Sequence, residues 1–138
     1  MTTTATLVAR SLRLIQVIDA RQPVKAADMQ TGIDALNAMM RRIEASGTAL
    51  GWQPVENPSN ELPLPPEAEE AIAYNLAVRL APEYGVDISP AVASAAVQGM
   101  NDLLRDQMVA TPIQPLLDVP TPSVRRGGDL NAAGWWAG

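Results

Sequence analysis

The stretch Leu62–Gly85, LPLPPEAEEAIAYNLAVRLAPEYG, decides the fold. Pro65 and Pro66 stand at a helix start, where the missing proline N–H leaves nothing unsatisfied and the fixed φ suits the first turn. Glu67, Glu69 and Glu70 follow at the positive end of the helix dipole. Ile72, Leu76 and Leu80 then recur every four residues with Ala73 and Ala77 beside them, forming a narrow apolar face that lets a second helix approach closely. Pro82 falls near the exit, and Gly85 supplies a permissive backbone after the last turn. The pattern predicts a helix from Pro66 to Ala81, the central packing element of a helical body.

The flanking segments carry the same grammar. Downstream, Ser89 caps a helix with Pro90 in its first turn, running to about Val109 and directing Val92, Ala96, Met100, Leu103 and Leu104 to the core. Gly99 inside it costs about 1 kcal/mol relative to alanine, which close packing against Ala73 and Ala77 would offset. Upstream, Ala26 to Ala45 repeats Met29, Ile33, Leu36, Met40 and Ile43 at spacings of three and four, with Asp28 near the start, Arg41 and Arg42 near the end, and Gly47 as the stop. A first helix runs from Thr4, whose hydroxyl is placed to cap it, to about Ile18, with Leu7, Val8, Leu12, Ile15 and Ile18 inward. Pro23 then disfavours helix in the residue before it, so Arg21 to Pro23 reads as a short link. The expected fold class is all-α: a four-helix bundle over residues 1–110, with a long central loop and an extended Pro/Gly-rich C-terminal tail over 111–138.

Between Gly47 and Pro65 the helical period vanishes. Gly51, Pro54, Pro58 and Pro63 alternate with polar residues and the isolated apolar groups Leu50, Trp52, Val55 and Leu62. Unstructured connections of this length are uncommon in compact domains. Two readings stand side by side: a surface loop pinned by Trp52, and an arm or hairpin whose Leu50, Trp52, Val55 and Leu62 contact a neighbouring subunit or the next component of an assembly.

Composition narrows the function. The chain has 138 residues, one domain's worth, with no cysteine and no histidine. That removes disulfides, thiolate metal sites, the commonest zinc ligand and the usual neutral-pH proton shuttle. No catalytic residue, metal site or cofactor is therefore expected, and a carboxylate-based hydrolase would need Glu67 or Glu83 in a cleft. Charge is uneven. Residues 1–46 carry six basic and four acidic side chains, residues 47–110 two and nine, and residues 111–138 two and two, giving +2, −7 and 0 within the total of −5. An acidic middle opposes duplex-DNA binding, and around a passage it would let DNA slide. No stretch has the length and apolarity of a membrane span, and the MTTTAT start followed by Arg10 and Arg13 lacks the apolar block of a secretory signal. Synthesis in the cytoplasm is expected. Gly127-Gly128 beside Arg125-Arg126 follows no strand and opens no capped helix, so it is not read as a phosphate loop.

Past Ala110 the chain changes character. Pro112, Pro115, Pro120 and Pro122 exclude a fifth bundle helix, and 28 residues extended at about 3.3 Å each would reach some 90 Å. Yet the segment carries Ile113, Leu116, Leu117, Val119, Val124, Leu130, Trp135 and Trp136, too many apolar groups for a tail that binds nothing. Burying one tryptophan removes about 200 Å² from water, worth on the order of 5 kcal/mol before ordering entropy. Trp135 and Trp136, with Arg125 and Arg126, are residue types that dominate interface energetics. The tail is expected to dock on another protein; the alternatives are that it folds back on its own bundle or that its last residues are not native.

The order and spacing of several motifs resemble the head-to-tail adaptors of tailed bacteriophages, also called tail accessory or head-completion proteins. They are Asn75-Leu76-Ala77, then Ala81-Pro82 with Tyr84-Gly85, then Ser89-Pro90, joined by an N-terminal helix like Ala9–Ile18 and the Leu36-Asn37 pair. Together they cover roughly residues 5–110; the tail cannot be matched residue by residue. The resemblance implies a structural, non-enzymatic virion protein of the neck between capsid and tail. Such adaptors form a homo-oligomeric ring, commonly a dodecamer, beneath the portal protein, retaining packaged DNA that passes through the lumen without specific binding. By that analogy Leu116, Leu117, Val119, Val124, Arg125, Arg126, Leu130, Trp135 and Trp136 bind the portal, and the 47–65 loop meets the downstream tail, nozzle or stopper protein. The alternative is a helical DNA-packaging factor such as a small terminase subunit, which the acidic middle and the lack of helix-turn-helix spacing disfavour.

Overall fold

Each local helix signal is realised in the computed structural model, which describes residues 2–110: α1 spans Thr4–Leu14, α2 Ala26–Ala45, α3 Pro66–Glu83 and α4 Pro90–Ala110. The described residues form an all-α bundle without strands. The boundaries of α2 agree with the sequence reading at both ends, and those of the others shift by a few residues for identifiable reasons.

At the start of α1 the cap is Thr3, not Thr4: the Thr3 hydroxyl accepts from the Thr6 N–H at 3.3 Å. Thr4 is instead fully buried, and its hydroxyl donates to the Asn60 carbonyl at 3.0 Å. The helix stops at Leu14 rather than Ile18, because Gln16 adopts a positive φ of 59° that no right-handed helix accommodates. Ile15 remains in the core all the same, and Ile18 packs against it from the link. α3 runs two residues past Ala81, through Pro82. Its end is closed by Gly85 at φ 64°, with the Val86 N–H donating to the Ala81 carbonyl and the Tyr84 N–H to the Leu80 carbonyl.

α3 is the axis of the body. Ala68, Ala71, Ile72, Ala73, Leu76, Ala77, Leu80 and Ala81 are all buried, covering far more than one narrow stripe. α1 and α2 pack on one side of it and α4 on the other. Ala71 and Asn75 face α4, since the Asn75 amide donates to the Ala71 carbonyl at 2.7 Å and across to the Ala96 carbonyl at 3.0 Å. Ala73, about 160° around the helix from Ala71, faces α1, where the Ser11 hydroxyl lies 3.0 Å from both the Ala73 and Leu7 carbonyls.

Glycine permits two of these close approaches. Gly99 does lie against α3, but on Ala71 rather than Ala73 and Ala77: a Cβ there would stand 3.1 Å from the Ala71 Cα and Cβ. Gly32, which the sequence reading passed over, lets α2 rest on Val8, whose side chain would collide with any Cβ at that position. Met39 joins the expected core members of α2. Leu104 does not join those of α4: it is 39% exposed, because among the described residues α4 is covered chiefly on the side that meets α3.

Candidate functional site

The loop between α2 and α3 lies on the body. Leu50, Val55 and Leu62 are buried members of this chain's own core or its rim, and Trp52 is partly covered against it. Two side chains of α2 hold the backbone. Asn37 clamps Val55 at both ends, its amide donating to the Val55 carbonyl at 2.8 Å and its oxygen accepting the Val55 N–H at 3.0 Å. Glu44 accepts from the Leu50 N–H at 2.8 Å and the Trp52 N–H at 3.2 Å. Further on, the N-terminal segment pairs with the loop: Thr4 N–H to Asn60, Ala5 N–H to Pro58 and Leu62 N–H to Thr2, with a single antiparallel bridge between Thr3 and Glu61. Trp52 is thus one of several pins. What the loop presents outward is polar, with Gln53, Glu56, Asn57, Ser59, Asn60 and Glu61 exposed.

Three of the residues behind the adaptor resemblance are joints. Asn37 holds the loop and Asn75 ties α3 to α4. Tyr84 donates from its hydroxyl to Asp28 Oδ1 at 3.0 Å, locking the exit of α3 to the start of α2. Burial, then that hydrogen bond, then the negative charges of Asp28 and Glu83 push its phenol up to about 12.

The acidic charge of the middle segment collects at the entrance of α3. Glu67 and Glu70 line a groove of about 350 Å³ together with Asp102 and Asp106 of α4, with Tyr74 and Gly99 in its wall. Arg10 stands at its side, 5.8 Å from the Tyr74 ring centroid and 3.6 Å from Glu70. Next to it, the Thr2 hydroxyl donates to Glu69 at 2.7 Å. Among the described residues no three acidic groups are placed to hold a metal ion. Of Glu67 and Glu83, the candidates for carboxylate chemistry, Glu67 lines this groove and Glu83 does not; they occupy opposite ends of α3, about 24 Å apart along its axis. A groove of this charge repels a polyanion. No described helix is long and apolar enough to cross a membrane.

The outer face of α4 is the remaining feature. Val97, 63% exposed, and Leu104 are the large apolar side chains left uncovered among the described residues, and they lie two turns apart on one helix. The sequence pattern directs Leu104 to the core and does not single out Val97, so the exposure of neither was legible. Leu116, Leu117, Val119, Val124, Arg125, Arg126, Leu130, Trp135 and Trp136, the expected portal contacts, lie outside the described residues.

A family model described as P22 tail accessory factor matches residues 1–138, the whole chain. No curated protein matches it significantly.

Proposed function

We infer that this chain, which belongs to the P22 tail accessory factor family and is thereby a structural protein of phage tail assembly, acts as a head-to-tail adaptor. In this reading copies of the helical body, residues 1–110, form a ring beneath the portal protein in the virion neck, and residues 111–138 dock on the portal. The ring retains packaged DNA and offers a platform to the next tail component. It performs no catalysis; interface burial repeated around a closed ring supplies the energy.

The observation that carries the reading is the family match, which spans the tail as well as the body. Two features of the body support it. The loop's apolar groups Leu50, Val55 and Leu62 serve the internal core, so the apolar, tryptophan-ended stretch past Ala110 is the segment whose composition still calls for a partner. The clustered carboxylates at the α3 entrance suit a wall past which DNA slides. For the loop, contact with the downstream tail protein would fall to its exposed polar rim, Gln53 to Glu61, and to the uncovered part of Trp52.

The test is to mix the purified chain with its portal protein and examine the product by electron microscopy and light-scattering mass. Many copies arranged as a ring on the portal are expected, and removal of residues 111–138, or Trp135→Ala with Trp136→Ala, should abolish binding while leaving the body folded. A portal that recruits no copies of the intact chain would overturn the reading.

A further inference from the structure

We propose that in the unassembled chain the segment Val124-Arg125-Arg126 seats in a pocket at the entrance of α3 on its own body, from which the portal must draw it. The proposal rests on the reading of residues 111–138 as the portal-binding tail only for that last step.

The pocket, of about 330 Å³, lies between the end of the loop and the first turn of α3 and is lined by Thr2, Glu61, Leu62, Leu64, Pro66 and Glu69. Three of these are apolar, with Leu62 buried and Leu64 half-buried, and two are carboxylates. The Thr2 hydroxyl occupies one oxygen of Glu69 at 2.7 Å, and neither Glu61 nor Glu69 makes an ion pair among the described residues. Apolar surface beside unpaired carboxylates fits an aliphatic group followed by guanidinium groups, whose forked donors match a carboxylate. Residues 47–110 are net −7, so the surroundings favour a cationic occupant and oppose an acidic one.

The body ends where that occupant can arrive. α4 runs antiparallel to α3, since Gly99 lies on Ala71 while Asp106 shares a groove with Glu67. Ala110, four residues past Asp106, therefore leaves the bundle at the end where α3 begins. The 14 residues from Thr111 to Val124, interrupted by Pro112, Pro115, Pro120 and Pro122, lie outside the described residues; extended at about 3.3 Å each they reach some 46 Å, against about 10 Å between neighbouring helix axes. Arg125 and Arg126 are the only basic residues past Ala110, and Val124 directly precedes them. A tether of this length gives an effective concentration of about millimolar, which populates within one chain a contact too weak to hold two molecules together. Val124, Arg125 and Arg126 are among the expected portal contacts, so seat and portal compete for the same side chains.

The chain has no cysteine, so disulfide formation reports only introduced positions. Val124→Cys is combined in the full-length chain with Leu64→Cys in the pocket, or with Val97→Cys on the outer face of α4 as the reference, and each is oxidised in a glutathione buffer. The pocket pair should close within single chains about tenfold faster than the reference, at a rate that does not change with protein concentration. Glu61→Gln with Glu69→Gln, Arg125→Gln with Arg126→Gln, or about 0.5 M salt should each bring it down to the reference rate. Pro66→Cys takes the place of Leu64→Cys if the latter lowers the melting temperature. Equal rates for the two pairs overturn the proposal, as does a rate indifferent to the glutamines and to salt. Disulfide-linked dimers that dominate and grow with concentration overturn it too, because a second copy's tail then fills the pocket. The oxidised pocket pair should bind the portal only after reduction, and equal binding before and after overturns the competition. If the unmodified chain does not bind the portal either, the adaptor reading has failed, while the closure rates still decide the seat.

Discussion

The segment between α2 and α3 and the outer face of α4 lie at opposite extremes of regularity and of coverage. The first has no periodic structure, yet Val55 is 3% exposed and its peptide groups are met by Asn37. The second is a regular helix face, yet Val97 projects into solvent. Regular backbone satisfies its own hydrogen bonds and so needs no neighbour to exist; irregular backbone must find partners elsewhere, and here it finds them on α1, α2 and the N-terminal segment. The less ordered sequence is therefore the more tightly integrated part of the body, and the ordered helix is the part with a face to spare.

Substitutions can break that contrast in order of expected effect. Val55→Asp would bury an unpaired charge beneath the loop and should cost about 3–5 kcal/mol in urea denaturation. A loop that acted as a free arm would register under about 0.5 kcal/mol. Asn37→Ala strands both peptide groups of Val55 and should cost about 2 kcal/mol by the same measurement, with the loop gaining protease sensitivity.

Tyr84→Phe tests the joint between the exit of α3 and the start of α2, and should cost about 1 kcal/mol at neutral pH. It also has a pH signature. The folded protein raises this phenol from 10.0 to about 12, so the unfolded chain loses the proton first. The associated stability is fully present below about pH 10 and declines as pH rises toward 12, a decline that the phenylalanine variant should lack in alkaline denaturation series. On the other side of the contrast, Val97→Ser should change unfolding free energy by no more than about 0.5 kcal/mol. A large loss there would mean that α4 is covered on its outer face after all.

Much of the body was legible before any coordinates. The span of α2 follows from Met29, Ile33, Leu36, Met40 and Ile43 with Gly47 behind them, and the end of α3 from Gly85. The misreadings share a cause. Leu104 fits the apolar period of α4 as well as Leu103 does, but only Leu103 turns toward α3. Thr3 and Thr4 are equally good caps by chemistry, and the pairing of Thr4 with Asn60, far away in sequence, decided which one turned inward. Gly99 was recognised as a place of close approach, yet its partner on α3 depended on helix register, which no local pattern carries. The portal contacts beyond Ala110 rest on composition and family alone.

The sequence by itself determined the four helices of the described residues and, to within a few residues, where each begins and stops, that the body is built without cysteine or histidine, and that acid gathers in its middle. Caps, breakers and periodicity are local physics, complete within a few turns of chain. Only the tertiary structure decided that the loop's Leu50, Val55 and Leu62 turn inward, that Asn37, Asn75 and Tyr84 serve as joints, and that Val97 and Leu104 stay uncovered. Coverage belongs to the set of elements and not to any one of them: a helix specifies an apolar face, but whether another element arrives to bury it depends on the rest of the chain.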